Sequence, residues 1–276
     1  MGSGYESPEQ EWHDFLTGTH PHFQRRSPLR LIPSSPRCRL CSAPFGSPGH
    51  LLLGRYGFTP WEKNPNLCKR CFRGFETAAK ACPRGASGDG DIRGAEVEIS
   101  MLFADVRGSS RLALEMPVWE FTRLMNRFYE TSSEVLFGGD AIIEKFVGDE
   151  VVGLFIPFMT GPGHARRAVE TAERLLRATG HGSEDGPWVP LGAGVHSGRV
   201  FVGIVGTGGS AEFTMLGDAA NVAAHVASRA AVGECLVTDE AAAAAELDLS
   251  ELERRRVPLK GREADVVVVT LRSPSM

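Results

Sequence analysis

Two short segments of this chain each carry a carboxylate at the edge of an apolar, β-prone run. They are Leu102-Phe103-Ala104-Asp105-Val106-Arg107-Gly108-Ser109 and Lys145-Phe146-Val147-Gly148-Asp149-Glu150. Magnesium takes hard oxygen ligands, usually one or two carboxylates together with substrate phosphates. Two aspartates on neighbouring strands are therefore able to hold a metal pair against a triphosphate. A Gly-Asp pair alone is more simply a hairpin turn. A second constellation is made of thiols: Cys38-Arg39-Leu40-Cys41 and Cys68-Lys69-Arg70-Cys71 are two C-x2-C knuckles. Four thiolates at that spacing suit a closed tetrahedral zinc site. Closed sites of this kind are structural, so no chemistry is assigned to it. A redox dithiol would need one knuckle, not two. Cys82 and Cys235 are left as spare thiols, with Cys235 expected to be buried.

The elements that must position these groups follow from periodicity. The chain has 276 residues, which sets a prior of about two domains. Its 42% hydrophobic and 23% charged residues are those of a globular protein. A formal net charge of -4 disfavours broad binding to nucleic acid or anionic lipid. No apolar run approaches the roughly 20 residues of a membrane helix, and the N-terminus lacks a signal pattern. The expected location is the cytoplasm, where cysteines stay reduced.

Four regions are expected: a flexible tail over 1–32, a loop-rich zinc module over 33–81, a linker over 82–95 and a larger ordered domain over 96–272. In the tail, Ser7-Pro8-Glu9-Gln10 reads as a capping box opening a short helix through Leu16. The linker contains Pro83-Arg84-Gly85-Ala86-Ser87-Gly88-Asp89-Gly90. In the larger domain Val97–Val106 reads as a strand. Val118, Phe121, Leu124, Met125, Phe128, Tyr129 and Val135 recur at helical spacing, as do Ala165, Ala168, Val169, Ala172, Leu175 and Leu176. Residues 141–146 and 150–155 flank a turn at Val147-Gly148-Asp149, and 191–196 and 200–205 flank a second expected hairpin at Ser197-Gly198. Residues 218–231 read as helix, and 236–238 and 266–271 as closing strands. The alanine run 241–245 reads as a solvent-facing helix. The expected fold class is α+β, with helices on one face of a mostly antiparallel sheet.

With the elements in place, the motifs resemble a known family. Residues of about 96–271 resemble the catalytic domain of the class III adenylyl/guanylyl cyclases, and the implied fold is that family's ferredoxin-like sandwich. Four segments match in order: 103–110 (Phe-Ala-Asp-Val-Arg-Gly-Ser-Ser), 144–149 (Glu-Lys-Phe-Val-Gly-Asp), 192–198 (Gly-Ala-Gly-Val-His-Ser-Gly) and 213–223 (Phe-Thr-Met-Leu-Gly-Asp-Ala-Ala-Asn-Val-Ala). A late Pro258-Leu259-Lys260-Gly261 also fits. This covers nearly two thirds of the chain. The pairing of cysteine knuckles with such a domain looks like a group of bacterial cyclase-domain proteins.

The resemblance implies cyclisation of a nucleoside triphosphate. The ribose 3′ oxygen attacks the α-phosphorus and pyrophosphate leaves. Asp105 and Asp149, with the Val106 carbonyl, are then the ligands of two Mg2+ or Mn2+ ions. Lys145 and Thr214 stand at the base-selecting positions. An ammonium donates well to adenine N1 and a hydroxyl accepts from N6, whereas guanine carries a proton on N1. ATP is therefore expected as substrate and cyclic AMP as product. Asn221 matches the asparagine that orients the ribose, and Lys260 the lysine that binds terminal phosphates. In the family one subunit supplies the aspartates and its partner the remaining groups, so a head-to-tail homodimer is implied. One position departs: four residues after Asn221 the family has an arginine, and this chain has His225. An arginine is always charged and forked; an imidazole is shorter and only partly charged near neutrality. Competing readings are a weakened, ATP-binding or dimerising domain, suggested by His225; a diguanylate cyclase, suggested by Val147-Gly148-Asp149-Glu150-Val151 and disfavoured by Lys145 and Thr214; and a nucleic-acid-reading cysteine module, disfavoured by the lack of a recognition helix.

Overall fold

A computed structural model of the chain describes residues 7–21, 27–32, 35–47, 49–73, 93–206, 212–248, 251–259 and 265–272. The linker at 83–90, Cys82 and Lys260 lie outside the described residues. Two compact units are present: Met1–Val97 with Pro157–Gly161 and Phe201–Leu216, and Glu98–Ile156 with Pro162–Val200 and Gly217–Met276.

In the first unit, helix α1 (Pro8–Thr17) begins with half of the expected capping box: Ser7 Oγ accepts from the Gln10 amide at 3.2 Å, while the Gln10 side chain donates to Asp14 at 2.7 Å. It stops at Gly18, whose φ of 80° is a left-handed cap. Phe15 packs on Phe158 with ring centroids 5.2 Å apart. The cysteine module is mostly loop. It holds the short helix α2 (Gly49–Leu53) and an antiparallel pair, β1 (Pro60–Trp61) and β2 (Asn64–Cys68). So small a module has little apolar core, and loop carbonyls are gathered instead by Arg37. Its guanidinium donates to the carbonyls of Leu29 (3.1 Å), Ser42 (2.9 Å) and Ile32.

The second unit is built on strands β3 (Arg93–Val106), β4 (Ile142–Val147), β5 (Glu150–Phe155), β6 (Leu191–Val205), β8 (Glu234–Thr238), β9 (Glu253–Val257) and β10 (Val266–Arg272). The N-terminal end of β3 and the C-terminal end of β6 run on into the first unit, where β7 (Glu212–Leu216) pairs antiparallel with β6. The sheet order is β4-β5-β3-β6-β8-β10-β9. β4–β5, β3–β5, β8–β10 and β9–β10 are antiparallel, while β6–β8 is parallel. Helices α3 (Ser109–Glu115), α4 (Val118–Gly138), α5 (Pro157–Thr160), α6 (His164–Ala178), α7 (Asp218–Ser228) and α8 (Asp239–Ala244) complete the chain, with α5 in the first unit. Met125, Phe128, Ser132 and Leu136 of α4 are buried at the three-to-four spacing that predicted this helix. The class is α+β, as expected.

Three sequence expectations are corrected. Residues 191–205 are one continuous strand, not a hairpin. Gly198 is there for close approach: a Cβ on it would lie 2.8 Å from Ala219 Cβ of α7. Ser197 is buried and its hydroxyl meets Ser100 Oγ at 2.6 Å, a partner that a turn would not reach. Second, helices cover both faces of the sheet. Cys235, Val237 and Val269 enter the core shared with α4, α6 and α8, whereas Leu236 and Val268 enter a core with Val222 and Val226 of α7. Alternation along β8 and β10 feeds both layers. Third, the alanine run does not face solvent. Ala241, Ala242 and Ala245 are buried in the main core, where only small side chains let α8 approach. Two strands lacked a sequence signal. β9 is Glu-Arg-Arg-Arg-Val, a charged outer strand, and β7 was read only as a motif.

Candidate active site

The β4–β5 turn is two residues long, and Val147 pairs with Glu150 across it. Gly148 has φ 61°, a conformation that glycine adopts freely at the first position of such a turn. Asp149 therefore projects at the tip. On β3, Asp105 is directly opposite Glu150, and the Val106 amide donates to the Asp149 carbonyl at 3.0 Å. The two aspartates that the sequence singles out are thus brought together by the backbone, and the Asp149 carboxylate acts on that of Asp105. Asp105 is raised to about 6, first by burial; Arg107 opposes this and the neighbouring Asp149 adds to it. Burial and the charges of Asp105 and Asp149 also raise Glu150. Negative charge gathered in a partly desolvated place is relieved by a cation. Two hard oxygen donors with backbone carbonyls beside them suit Mg2+ or Mn2+.

Three neighbours of this pair were not legible as site residues. Arg107 ion-pairs with Asp105, and the same guanidinium donates to the Ser228 carbonyl at the end of α7 at 3.0 Å. Their i, i+2 spacing on a strand would have placed both side chains on one face. Glu150 follows Asp149 directly and was passed over as a strand residue. Tyr129 of α4 donates its hydroxyl to the Gly148 carbonyl and lays its ring on Phe146, centroids 4.4 Å apart. Nothing in local spacing signals that contact.

Lys145 is exposed on β4, and its ammonium lies 3.4 Å from the carboxylate of buried Glu144. Sequence neighbours in a strand normally face opposite ways. Here the β4–β5 register shifts between Ile143 and Lys145, and such a bulge re-aims side chains. Asn221 and His225 lie one turn apart on α7, so one helix edge carries both. Asn221 is exposed, and His225 Nε2 donates to the Pro258 carbonyl at 3.1 Å. Thr214 is on β7 in the first unit, whereas Asp105, Lys145, Asp149, Asn221 and His225 are in the second.

The cysteine knuckles converge. Sγ atoms of Cys38, Cys41, Cys68 and Cys71 all lie within 4.8 Å of one another. Cys38 and Cys71 sulfurs are 3.9 Å apart and those of Cys41 and Cys68 3.7 Å. A tetrahedral zinc with bonds of about 2.3 Å requires edges of roughly 3.8 Å. The amides of Cys68 and Cys71 donate to the sulfurs of Cys38 and Cys68, both at 3.3 Å, which favours thiolates. The donor set therefore fits a four-thiolate zinc site. Cys235 is buried among apolar side chains, and burial pushes its thiol up, so it is an inert core residue.

Residues 94–272 match the family model described as the Adenylate and Guanylate cyclase catalytic domain. The chain belongs to this family. An adenylate cyclase of Anabaena cylindrica is 28% identical over 135 residues, covering 46% of this chain and 26% of the relative. A terminal-differentiation-specific adenylate cyclase of Dictyostelium discoideum is 30% identical over 130 residues, covering 46% of this chain and 6% of that protein. The chain thus spans about a quarter or less of these two relatives. Among solved structures, the guanylyl cyclase Cya2 aligns with a TM-score of 0.57 at 23% identity, covering 64% of this chain and 92% of that one. The adenylyl cyclase CyaB from P. aeruginosa aligns with a TM-score of 0.55 at 23% identity, covering 66% and 97%. These likenesses show that the cyclase domain has the class III fold. No helix among the described residues is long and apolar enough to cross a membrane.

Proposed function

We propose that this cyclase converts ATP to cyclic AMP and pyrophosphate, at sites shared by two copies of the chain in a head-to-tail homodimer. The meeting of Asp105 and Asp149 beside the Val106 backbone carries this reading. Divalent cations held by the two carboxylates and the Val106 carbonyl would supply the charge that favours ionisation of the ribose 3′ hydroxyl and steadies pyrophosphate.

The remaining work falls to side chains. The Lys145 ammonium donates to adenine N1 and the Thr214 hydroxyl accepts from N6. Guanine N1 already bears a proton and would face an ammonium it cannot accept from. Asn221 orients the ribose, Lys260 binds terminal phosphates, and His225 stands where the family's arginine faces the α-phosphate. The 3′ oxygen forms its bond to the α-phosphorus as the bond to the β-phosphate bridge breaks, and the 3′ proton passes to solvent. Sharing follows from the family's division of labour. Arg107 holds Asp105 in charge balance. The cytoplasm suits four reduced cysteines and a triphosphate substrate. The cysteine module is assigned a structural zinc, not catalysis.

The test is product formation from ATP and from GTP, with Mg2+ or Mn2+, by wild type, Asp105→Asn and Asp149→Asn. Wild type should yield cyclic AMP, with on the order of tenfold less cyclic GMP, the factor one mispaired charged hydrogen bond supplies. Both variants should be inactive while still folded. Cyclic GMP as main product would overturn the ATP assignment. A second reading, an ATP-binding or dimerising domain without turnover, has one observation in its favour: the His225 N–H is already engaged by the Pro258 carbonyl. Absence of either product from a dimeric, ATP-binding wild type would establish it.

A further inference from the structure

The first unit holds a contact that the function above does not use. On β7 the burial alternates, with Phe213 and Met215 buried and Glu212 and Leu216 exposed. Successive strand residues face opposite ways, so Phe213 turns one way and Thr214 the other. Among the described residues the strand partner of β7 is β6 alone, through pairs such as Ile204–Phe213 and Gly203–Thr214. An outer strand with one ladder is marginal unless something packs on its face.

The cysteine module supplies that packing. Trp61 and Phe72 stack with centroids 4.0 Å apart and planes 16° from parallel. Phe213 stands nearly perpendicular to both, at 6.4 Å from Trp61 with an 81° angle and at 5.8 Å from Phe72 with an 85° angle. Edge-to-face contacts of this kind are attractive beyond the apolar area they bury. Lys63 donates to the Phe213 carbonyl at 3.5 Å. The aromatic pair is itself tied to the thiols. Phe72 follows Cys71, and Trp61 lies on β1, whose Pro60 pairs with Cys68.

We propose that the four-cysteine module is a clamp on β7: Trp61 and Phe72 hold Phe213, and Phe213 thereby positions Thr214. Phe213, Trp61 and Phe72 are positioning residues: they act through Thr214. A metal on the cysteines fixes Cys68 and Cys71, and so the aromatic pair. Loss of the metal releases the strand. The consequence for base recognition rests on the cyclase function proposed above; the clamp itself does not.

The test measures amide hydrogen exchange over 201–216 of the full chain, with 234–238 as reference. It compares wild type, Phe213→Leu, Phe213→Tyr, Trp61→Leu and wild type stripped with a chelator. β7 amides should exchange roughly tenfold faster in Phe213→Leu, in Trp61→Leu and in stripped protein, with β8 unchanged. Phe213→Tyr keeps the aromatic ring and should match wild type. Phe213→Leu should keep its zinc, which separates loss of the clamp from loss of the module. Unchanged β7 protection in Phe213→Leu or after stripping would overturn the clamp, whatever the activity. Where wild type turns over ATP, Phe213→Leu should raise KM for ATP several-fold with a smaller change in kcat, about the effect of one weakened hydrogen bond. Its preference for ATP over GTP should narrow. A loosened β7 with KM and base preference unchanged would refute the positioning role. A wild type without turnover would refute the cyclase reading and leave the exchange result to judge the clamp.

Discussion

Replacing Asp105 with Asn should stabilise the metal-free protein while abolishing its response to metal. The carboxyl of Asp105 sits at about 6 because burial raises it, with Arg107 opposing and Asp149 reinforcing. In the unfolded chain it returns to about 3.9. Between these values the folded protein holds a proton that the unfolded chain has lost. Stability therefore falls as pH rises through the window from about 4 to 6, and the cost is complete above it. About two units at 1.36 kcal/mol each set a ceiling of roughly 3 kcal/mol. The Asp105 side chain is 28% exposed, and solvent screening lowers this to about 1–2 kcal/mol. Asn lifts the cost without changing shape. For a chain of this size about 1 kcal/mol moves Tm by roughly 2–4 °C. With chelator at about pH 7.5, Asp105→Asn should melt about 2–8 °C above wild type, and the gap should close toward pH 4. With saturating Mn2+ the order should reverse, since binding at 100-fold over Kd adds about 2.7 kcal/mol to wild type alone. Thermal unfolding followed by circular dichroism, alongside product formation, measures both. A variant that melts below wild type in chelator at neutral pH, or that still gains from Mn2+, would refute the assignment of Asp105 as a buried metal ligand.

An Asp105→Ala chain mixed with an Asn221→Ala chain should regain turnover that neither has alone, because a mixed dimer contains one site free of both defects. Exchange verified by tagged pull-down without recovered activity would sink the shared-site arrangement. Elemental analysis should find about one zinc per chain, lost in Cys41→Ser, and chelation should lower the melting temperature of the cysteine module. A zinc-free native protein would end that assignment. His225→Arg should raise turnover, by up to about 10²–10³-fold if the fork reaches the α-phosphate, and His225→Ala should lower it. Equal rates for all three residues across neutral pH would remove the position from the chemistry. Tyr129→Phe should raise the Mn2+ concentration needed for half-maximal turnover by roughly tenfold or less, the worth of one hydrogen bond, because the Gly148 turn that carries Asp149 loses its tether. An unchanged metal requirement would show that the turn holds itself.

Some of this protein is decided within a few residues of sequence. The 3.6-residue recurrence of Met125, Phe128 and Leu136 sets the buried face of α4. Ser7 and Gly18 set the ends of α1. Gly148 permits the two-residue turn that puts Asp149 at a tip, and the spacing of four cysteines announces a thiolate cage. These are local matters of backbone sterics, capping and side-chain period, and spacing reports them. Other features depend on what a distant segment brings. Ser197-Gly198 carries the composition of a turn, yet α7 packs against it and Ser100 bonds to it, so the strand runs straight through. The alanines of α8 look like a solvated helix and are buried, since small size suits close packing as well as it suits exposure. A bulge beside Glu144 brings two sequence neighbours, Glu144 and Lys145, into an ion pair with each other. The hold of Trp61 and Phe72 on Phe213 joins positions about 140–150 residues apart, and no periodicity spans that gap. Pairings of this kind are selected by the free energy of the assembled core, a sum over contacts that no single stretch of chain contains.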